Sequence, residues 1–143
     1  MFTNGSFEGA WSCLDYSPSD MKSGPNHPPH HRPEHWCVES SDSVGVLNIP
    51  GLIGRARVFD VDTSLLVDVP PIGEGAWLEL TVEFDGKRQW SRRIPAHNPG
   101  QTDGLEYHQR VRLEAEQGLR VRAMVAVKGV RVRQLVLEAR EEA

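Results

Sequence analysis

The stretch AWLELTVEF at residues 76–84, followed by Asp85-Gly86, decides the fold. Apolar and polar residues alternate along it, which predicts a β-strand with one face buried and the other in solvent. The predicted inward set is Ala76, Leu78, Leu80, Val82 and Phe84. Trp77 falls on the outward face of the same strand. Asp-Gly between two alternating runs is a strong hairpin signal, so we expect an antiparallel strand to follow directly.

The same two-residue period extends through most of the chain on both sides of this hairpin. We predict strands at residues 36–39, 43–48, 55–61, 64–69, 76–84, 89–94, 107–114, 119–127 and 130–138. Turns rich in glycine and proline separate several of them, and no segment shows a convincing helical period. Short strands at this spacing predict an all-β antiparallel sandwich of the jelly-roll type.

The length of 143 residues allows one domain with one hydrophobic core, and we expect residues 1–143 to form it. The net charge of −4 argues against a nucleic acid as the partner. No apolar run is long enough to cross a bilayer, which argues against a membrane partner. The N-terminus lacks the features of a secretory signal, so the expected location stays open between the cytoplasm, a virion, and export without a visible leader.

Residues 9–35 are predicted to form one long irregular loop, because five prolines lie in this stretch and each fixes φ and lacks an amide donor. A loop of this length is usually functional or disordered, and the aromatic residues in and beside it argue against disorder. Cys13 and Cys37 bracket most of it. They would form a disulfide in an oxidising compartment and remain two thiols in a reducing one, and both possibilities stay open.

The loop also carries a histidine cluster, with Cys37 close by. Imidazole and thiolate groups are ligands for zinc. The spacing matches no established zinc finger, however, and the intervening prolines stiffen the loop against a tight chelate. We therefore expect no metal and no other cofactor. If a metal did bind, the candidate ligands would be His27, His30, His31 and His35.

A second candidate site is aromatic. Flat aromatic rings pack against the C–H groups of sugar rings, while neighbouring polar groups orient the sugar hydroxyls. The residues proposed for this role are Trp77, Trp90, Trp36, Tyr16 and Arg122. The competing interpretation is structural, with the same rings pinning the loop to the sandwich or filling its core.

Six arginines occur in pairs at strand spacing, namely Arg110 and Arg112, Arg120 and Arg122, Arg131 and Arg133. If their strands are neighbours, six guanidinium groups share one surface that could grip an acidic glycan, a phosphate backbone or an acidic protein. The alternative is neutralisation by glutamates across the sheet, and the acidity of the whole chain favours it.

Signatures of catalysis are missing from the sequence, which has no Gly-x-Ser-x-Gly elbow, no phosphate-binding glycine loop and no HExxH motif. His97 and His108 have no evident nucleophilic partner. We interpret Asp60 and Asp62 as an exposed edge or turn, although the paired carboxylates of a glycosidase are conceivable. We expect no catalytic residues and no enzyme.

The opening Asn4-Gly5-Ser6-Phe7-Glu8-Gly9 resembles the first strand of galactose-binding-like jelly rolls, in particular of carbohydrate-binding modules that begin Asn-Gly-x-Phe-Glu. The resemblance implies a glycan ligand. In that family the opening glutamate and a late aspartate often hold a structural calcium ion. Glu8 matches the first of these, but Arg133 and Gln134 stand where the late aspartates would be, so we expect no calcium here.

Two functional hypotheses follow. The first is a non-catalytic carbohydrate-binding module that recognises a glycan by aromatic stacking and polar contacts. The second is a structural or decoration protein of a virion, a surface layer or another oligomeric assembly, in which the N-terminal loop clasps a neighbouring subunit. The expected partner is accordingly a glycan or another protein subunit, and a homo-oligomer is compatible with the second hypothesis.

Overall fold

The structure, a computed structural model, describes residues 32–142, which form eight β-strands. Their bounds are β1 His35–Ser40, β2 Val44–Ile49, β3 Arg57–Asp68, β4 Trp77–Phe84, β5 Lys87–Pro95, β6 Thr102–Leu113, β7 Leu119–Lys128 and β8 Arg131–Glu141. Within this part of the chain there is no helix long and apolar enough to cross a membrane.

The strands form two four-stranded antiparallel sheets. Sheet A has the order β1-β8-β3-β6 and sheet B the order β2-β7-β4-β5. Strand β4 therefore pairs with β5, β3 with β6, β2 with β7 and β1 with β8, as if one long hairpin had been rolled into two layers. This is the topology of a jelly roll, and it confirms the predicted all-β antiparallel sandwich.

The core lies between the two sheets and is built from alternate residues of each strand. In β4 the buried positions are Leu78, Leu80, Val82 and Phe84, as the alternation predicted. Trp77 lies on the opposite face of the same strand. The predicted hairpin is also confirmed, since Asp85 and Gly86 join β4 to β5 with φ angles of 51° and 84°. Positive φ at both turn residues is what a two-residue hairpin of matching twist requires.

Strand β3 is one continuous strand of 12 residues, where the sequence predicted two, at 55–61 and 64–69. The predicted break between two strands was wrong. Thr63 is polar, but it lies on the core face like its apolar neighbours, so the alternation of buried and outward residues continues through it. The interpretation of Asp60 and Asp62 as an edge or turn was wrong for the same reason. Both lie on the outer face of β3, which is an interior strand of sheet A.

A buried guanidinium group holds one end of the sandwich together. Arg57 is 2% exposed on the core face of β3. Its Nη1 donates to Glu34 Oε1 at 2.7 Å, and its Nη2 donates to the carbonyl oxygens of Pro50 and Gln117 at 2.8 and 3.3 Å. The side chain thereby ties the segment before β1 to the β2–β3 and β6–β7 connections.

Candidate functional site

The outer face of sheet B is the solvent side of β2, β7, β4 and β5, and it carries an unusual mixture of an aromatic ring, cations and hydroxyl groups. The residues that the strand register places on it are Val44, Val46, Asn48, Trp77, Glu79, Thr81, Glu83, Arg88, Ser91, Arg93, Pro95, Arg120, Arg122, Met124, Ala126 and Lys128. Each follows from the two-residue alternation, because its neighbours in sequence point to the core.

Trp77 and Arg93 form a contact at one end of this face, where β4 begins and β5 ends. The guanidinium carbon of Arg93 lies 3.7 Å from the centroid of the Trp77 ring, close enough for a cation–π interaction. Arg93 Nη2 also lies 3.5 Å from Glu79 Oε1 on the adjacent strand. The Arg93 side chain is 54% exposed, so the guanidinium covers the ring without being locked in place. The indole remains partly exposed.

Two polar pairs continue the face along β4. Thr81 Oγ1 and Ser91 Oγ are hydrogen-bonded at 2.8 Å. Further along, Arg122 Nη1 lies 3.8 Å from Glu83 Oε1. Arg122, one of the residues proposed from sequence, thus shares a face with Trp77. Glu83 lies six positions after Trp77 on β4, so the two ends of the row are about 20 Å apart.

The other two described tryptophans lie on the core side of their strands. Trp90 stands opposite Val82, packs against the core and stacks on Tyr107 of β6, with ring centroids 5.0 Å apart. Trp36 stands opposite Ala139, packs against the core and donates from Nε1 to Glu34 at 3.0 Å. Trp90 thereby joins the two sheets, and neither ring faces outward with Trp77. The fifth proposed residue, Tyr16, lies outside the described residues.

The six paired arginines do not share one surface. Arg120 and Arg122 lie on sheet B, while the other two pairs lie on β6 and β8 of sheet A, where β3 separates them. Carboxylates neutralise most of them. Glu83, Glu142 and Glu114 each contact one, and Asp68 contacts both Arg131 and Arg133, at 3.6 and 3.5 Å. The idea of a single arginine surface is therefore wrong, because it needed β6, β7 and β8 to be neighbours.

Of the four histidines considered as metal ligands, the structure describes His35. Its Nε2 lies 2.5 Å from Glu138 Oε2, and both side chains are nearly buried on the outer side of sheet A. No group of three or more potential ligands that could hold a metal is found within residues 32–142. His27, His30 and His31 lie outside that range, as does Glu8, so the predictions about zinc and calcium stay predictions.

Cys37 lies on the outer side of β1, opposite Glu138, and is disulfide-bonded. The other cysteine of the chain, Cys13, lies outside the described residues, and the proposed pairing stays a prediction.

His108 forms a titratable contact on the outer face of sheet A. Its Nδ1 lies 2.6 Å from Asp62 Oδ1, and its Nε2 lies 3.8 Å from Asp60 Oδ1. The hydrogen bond to Asp62 raises the pKa of His108 above 6.5. Desolvation opposes this rise, and the charges of Asp62 and Asp60 add to it. All three side chains are exposed, so this contact is a surface feature of sheet A.

A shallow groove of about 390 Å³ lies at one end of the sandwich. Its lining residues are Asp68, Val69, Pro70, Gly129, Val130 and Arg131. The only carboxylate in the lining is Asp68, and two arginines already surround it. The groove therefore offers little free polar chemistry in comparison with the outer face of sheet B.

Sequence reasoning missed the contact of Arg93 with Trp77, the Thr81–Ser91 hydroxyl pair and a row of cations. The contact and the pair were not identified because both depend on the pairing of β4 with β5. Four cations lie on β5 itself, at Lys87, Arg88, Arg92 and Arg93. The segment KRQWSRR at residues 87–93 was a visible signal for this row.

Comparisons with known proteins place the chain in no family, since no family model matches it and no curated protein matches it. Among solved structures, the chain is similar over 83% of its length to the dimeric latent PorU from Porphyromonas gingivalis, at 10% sequence identity and a TM-score of 0.44. It spans 14% of the length of that protein. The function must accordingly be argued from the residues of the outer face of sheet B.

Proposed function

We propose that this protein is a non-catalytic β-sandwich module that binds a glycan on the outer face of sheet B. The observation that carries the proposal is the outward Trp77, a large aromatic ring on the solvent side of sheet B beside the Glu79–Arg93 ion pair. A large aromatic ring on the solvent side of a sheet loses favourable burial unless something covers it. Arg93 covers part of it in the free protein.

The contact between Arg93 and Trp77 also suggests how a sugar would bind. An exposed ion pair such as Glu79–Arg93 contributes little to stability, so moving the Arg93 side chain costs little. A sugar ring can then stack on the indole in place of the guanidinium. The displaced guanidinium and the Glu79 carboxylate become a donor and an acceptor for its hydroxyl groups. The Thr81–Ser91 hydroxyl pair supplies further polar contacts along the strand.

A tryptophan-fluorescence titration against an array of neutral and acidic glycans tests this proposal. Trp77→Ala is expected to weaken binding at least tenfold, and Trp77→Phe is expected to abolish most of the ligand-induced fluorescence change while keeping part of the affinity. The matched control is Trp90→Phe, whose ring faces the core and should leave binding within twofold. Absence of binding to any glycan, or equal affinities for the wild type and Trp77→Ala, would refute the proposal.

The alternative function is that of a subunit in an assembly, and the exposure of two isoleucines supports it. Ile53 and Ile72 are 82% and 88% exposed, on the loops before and after β3, which lie at opposite ends of that strand. Exposed isoleucines at two ends could join copies head to tail. Light scattering after size exclusion tests this. A monomer at high protein concentration would contradict the assembly role, and Ile53→Ser/Ile72→Ser should dissolve any oligomer.

A further inference from the structure

The two sheets carry opposite net charges. The strands of sheet B contain seven lysines and arginines and only two carboxylates, whereas those of sheet A contain six arginines and eight carboxylates. The whole chain has a net charge of −4. The net negative charge, which argued against an anionic partner, therefore arises outside sheet B. Sheet B, which carries Trp77, is locally cationic.

The excess of cations is concentrated on β5, one of the two edge strands of sheet B. Lys87, Arg88 and Arg92 are exposed, and no carboxylate within residues 32–142 forms an ion pair with any of them. The register places Arg88 on the outer face, opposite Glu83, and places Arg92 and Lys87 on the other side of the strand, opposite Leu80 and Phe84. Because β5 lies at the edge of the sheet, all three side chains are exposed along that edge. Together with Arg93 they make a cationic rim, defined here as these four residues of β5.

The cationic rim runs beside the proposed sugar platform. Arg93, the last cation of the rim, is also the residue that covers Trp77. From Arg93 to Arg88 the strand advances about 16 Å, which is long enough to follow several units of a linear polymer. Guanidinium groups form forked hydrogen bonds with carboxylate and sulfate oxygens, and they have no charged group to pair with on a neutral sugar.

We infer that the ligand of this site is an acidic polysaccharide, one that bears uronic carboxylates or sulfate esters. One sugar unit stacks on Trp77, and the acidic groups of the following units pair with Arg88 on the outer face and with Arg92 and Lys87 along the exposed edge of β5. This inference rests on the proposed function, because it assigns the ligand class of the same site. It adds that the attraction is electrostatic and weakens with salt.

The experiment compares binding by isothermal titration calorimetry to two pairs of polymers at 20 mM and 300 mM NaCl. Carboxymethyl cellulose is paired with hydroxyethyl cellulose, and heparin is paired with dextran, so that carboxylate, sulfate and neutral polymers are all represented. The wild type is expected to bind at least one acidic polymer at least tenfold more tightly than its neutral counterpart. Affinity for that polymer should fall at least fivefold between the two salt concentrations.

Two triple variants distinguish a specific role of the cationic rim from an effect of the total number of cations on the protein. Lys87→Gln/Arg88→Gln/Arg92→Gln should weaken acidic-polymer binding at least tenfold and flatten its salt dependence. The control, Arg110→Gln/Arg112→Gln/Arg131→Gln, removes the same charge from sheet A and should change the affinity less than twofold. Thermal melts establish that both variants fold.

The possible outcomes distinguish a failure of this inference from a failure of the proposed function. Binding to the neutral polymers alone, with no gain from acidic groups, overturns the acidic ligand and leaves glycan binding standing. Equal losses in the two triple variants overturn the role of the rim. Duplex DNA bound as tightly as the best acidic polymer also overturns the inference, since it would show a general polyanion surface. Absence of binding to every polymer overturns both proposals.

Discussion

A buried hydroxyl group in the middle of the core gives the sharpest test of the packing described above. Thr63 is 1% exposed on the core face of β3, and its Oγ1 has no hydrogen-bond partner within the described part of the chain. Valine has nearly the same shape as threonine, with a methyl group in place of the hydroxyl. Thr63→Val should therefore stabilise the protein.

The magnitude follows from two terms. An unsatisfied buried polar group costs about 1–3 kcal/mol, and burial of an additional methyl group contributes about 0.8 kcal/mol. Imperfect packing of the new methyl group reduces the sum, so we expect Thr63→Val to raise the free energy of unfolding by about 1–2 kcal/mol. For a chain of this size that corresponds to an increase in Tm of roughly 3–8 °C. Urea unfolding followed by tryptophan fluorescence measures the change directly.

Thr81→Val is the matched control on the outer face of sheet B. Thr81 Oγ1 is hydrogen-bonded to Ser91 Oγ at 2.8 Å, so the same substitution removes a satisfied hydroxyl and should destabilise by about 0.5–1.5 kcal/mol. The two variants are thus predicted to change stability in opposite directions. A Thr63→Val protein less stable than the wild type would refute the reasoning, because it would mean that the buried hydroxyl has a partner such as a bound water molecule.

Three further predictions concern stability. Arg57→Met leaves three acceptors without their shared donor and should cost about 3–5 kcal/mol in chemical unfolding. Gly51→Ala should cost about 2–3 kcal/mol in the same assay, because a Cβ at that position overlaps the backbone carbonyl of Glu116. The raised pKa of His108 stabilises the fold below about pH 6.5, and this contribution is lost as the pH rises through the folded-state pKa. Asp62→Asn should lower the pKa of His108 in an NMR titration and reduce the difference in unfolding free energy between pH 5.5 and 8.5. An unchanged pKa of His108 in this variant would contradict the prediction.

The fold could be predicted from sequence wherever apolar and polar residues alternate along a strand. Leu78, Leu80 and Val82 were assigned to the core from period alone, and all three are fully buried. The method failed at Thr63, because a polar residue on the core face resembles a break between strands. Alternation predicts which side of a strand a residue faces. The prediction fails at a buried hydroxyl group if every polar residue is assumed to be exposed.

The site was less predictable, because it depends on which strands are neighbours. The outward orientation of Trp77 followed from the sequence of β4 alone. The contact of Arg93 with that ring, and the stacking of Trp90 on Tyr107, require the pairing of β4 with β5 and the packing of the two layers. Strand β5 has no clean burial period, since it lies at an edge, so its inward ring could not be told from an outward one.

Protection of sheet edges offers a competing reason for charge on β5, since charged side chains on edge strands discourage pairing with other molecules. The second long edge strand, β6, provides a comparison within the same molecule. Its four charged residues other than histidine are two carboxylates and two arginines, whereas the four on β5 are all cationic. Edge protection requires charge but no particular sign, and β6 shows that a mixture is tolerated. The single sign on β5 therefore calls for a further cause, and an anionic ligand beside Trp77 supplies one.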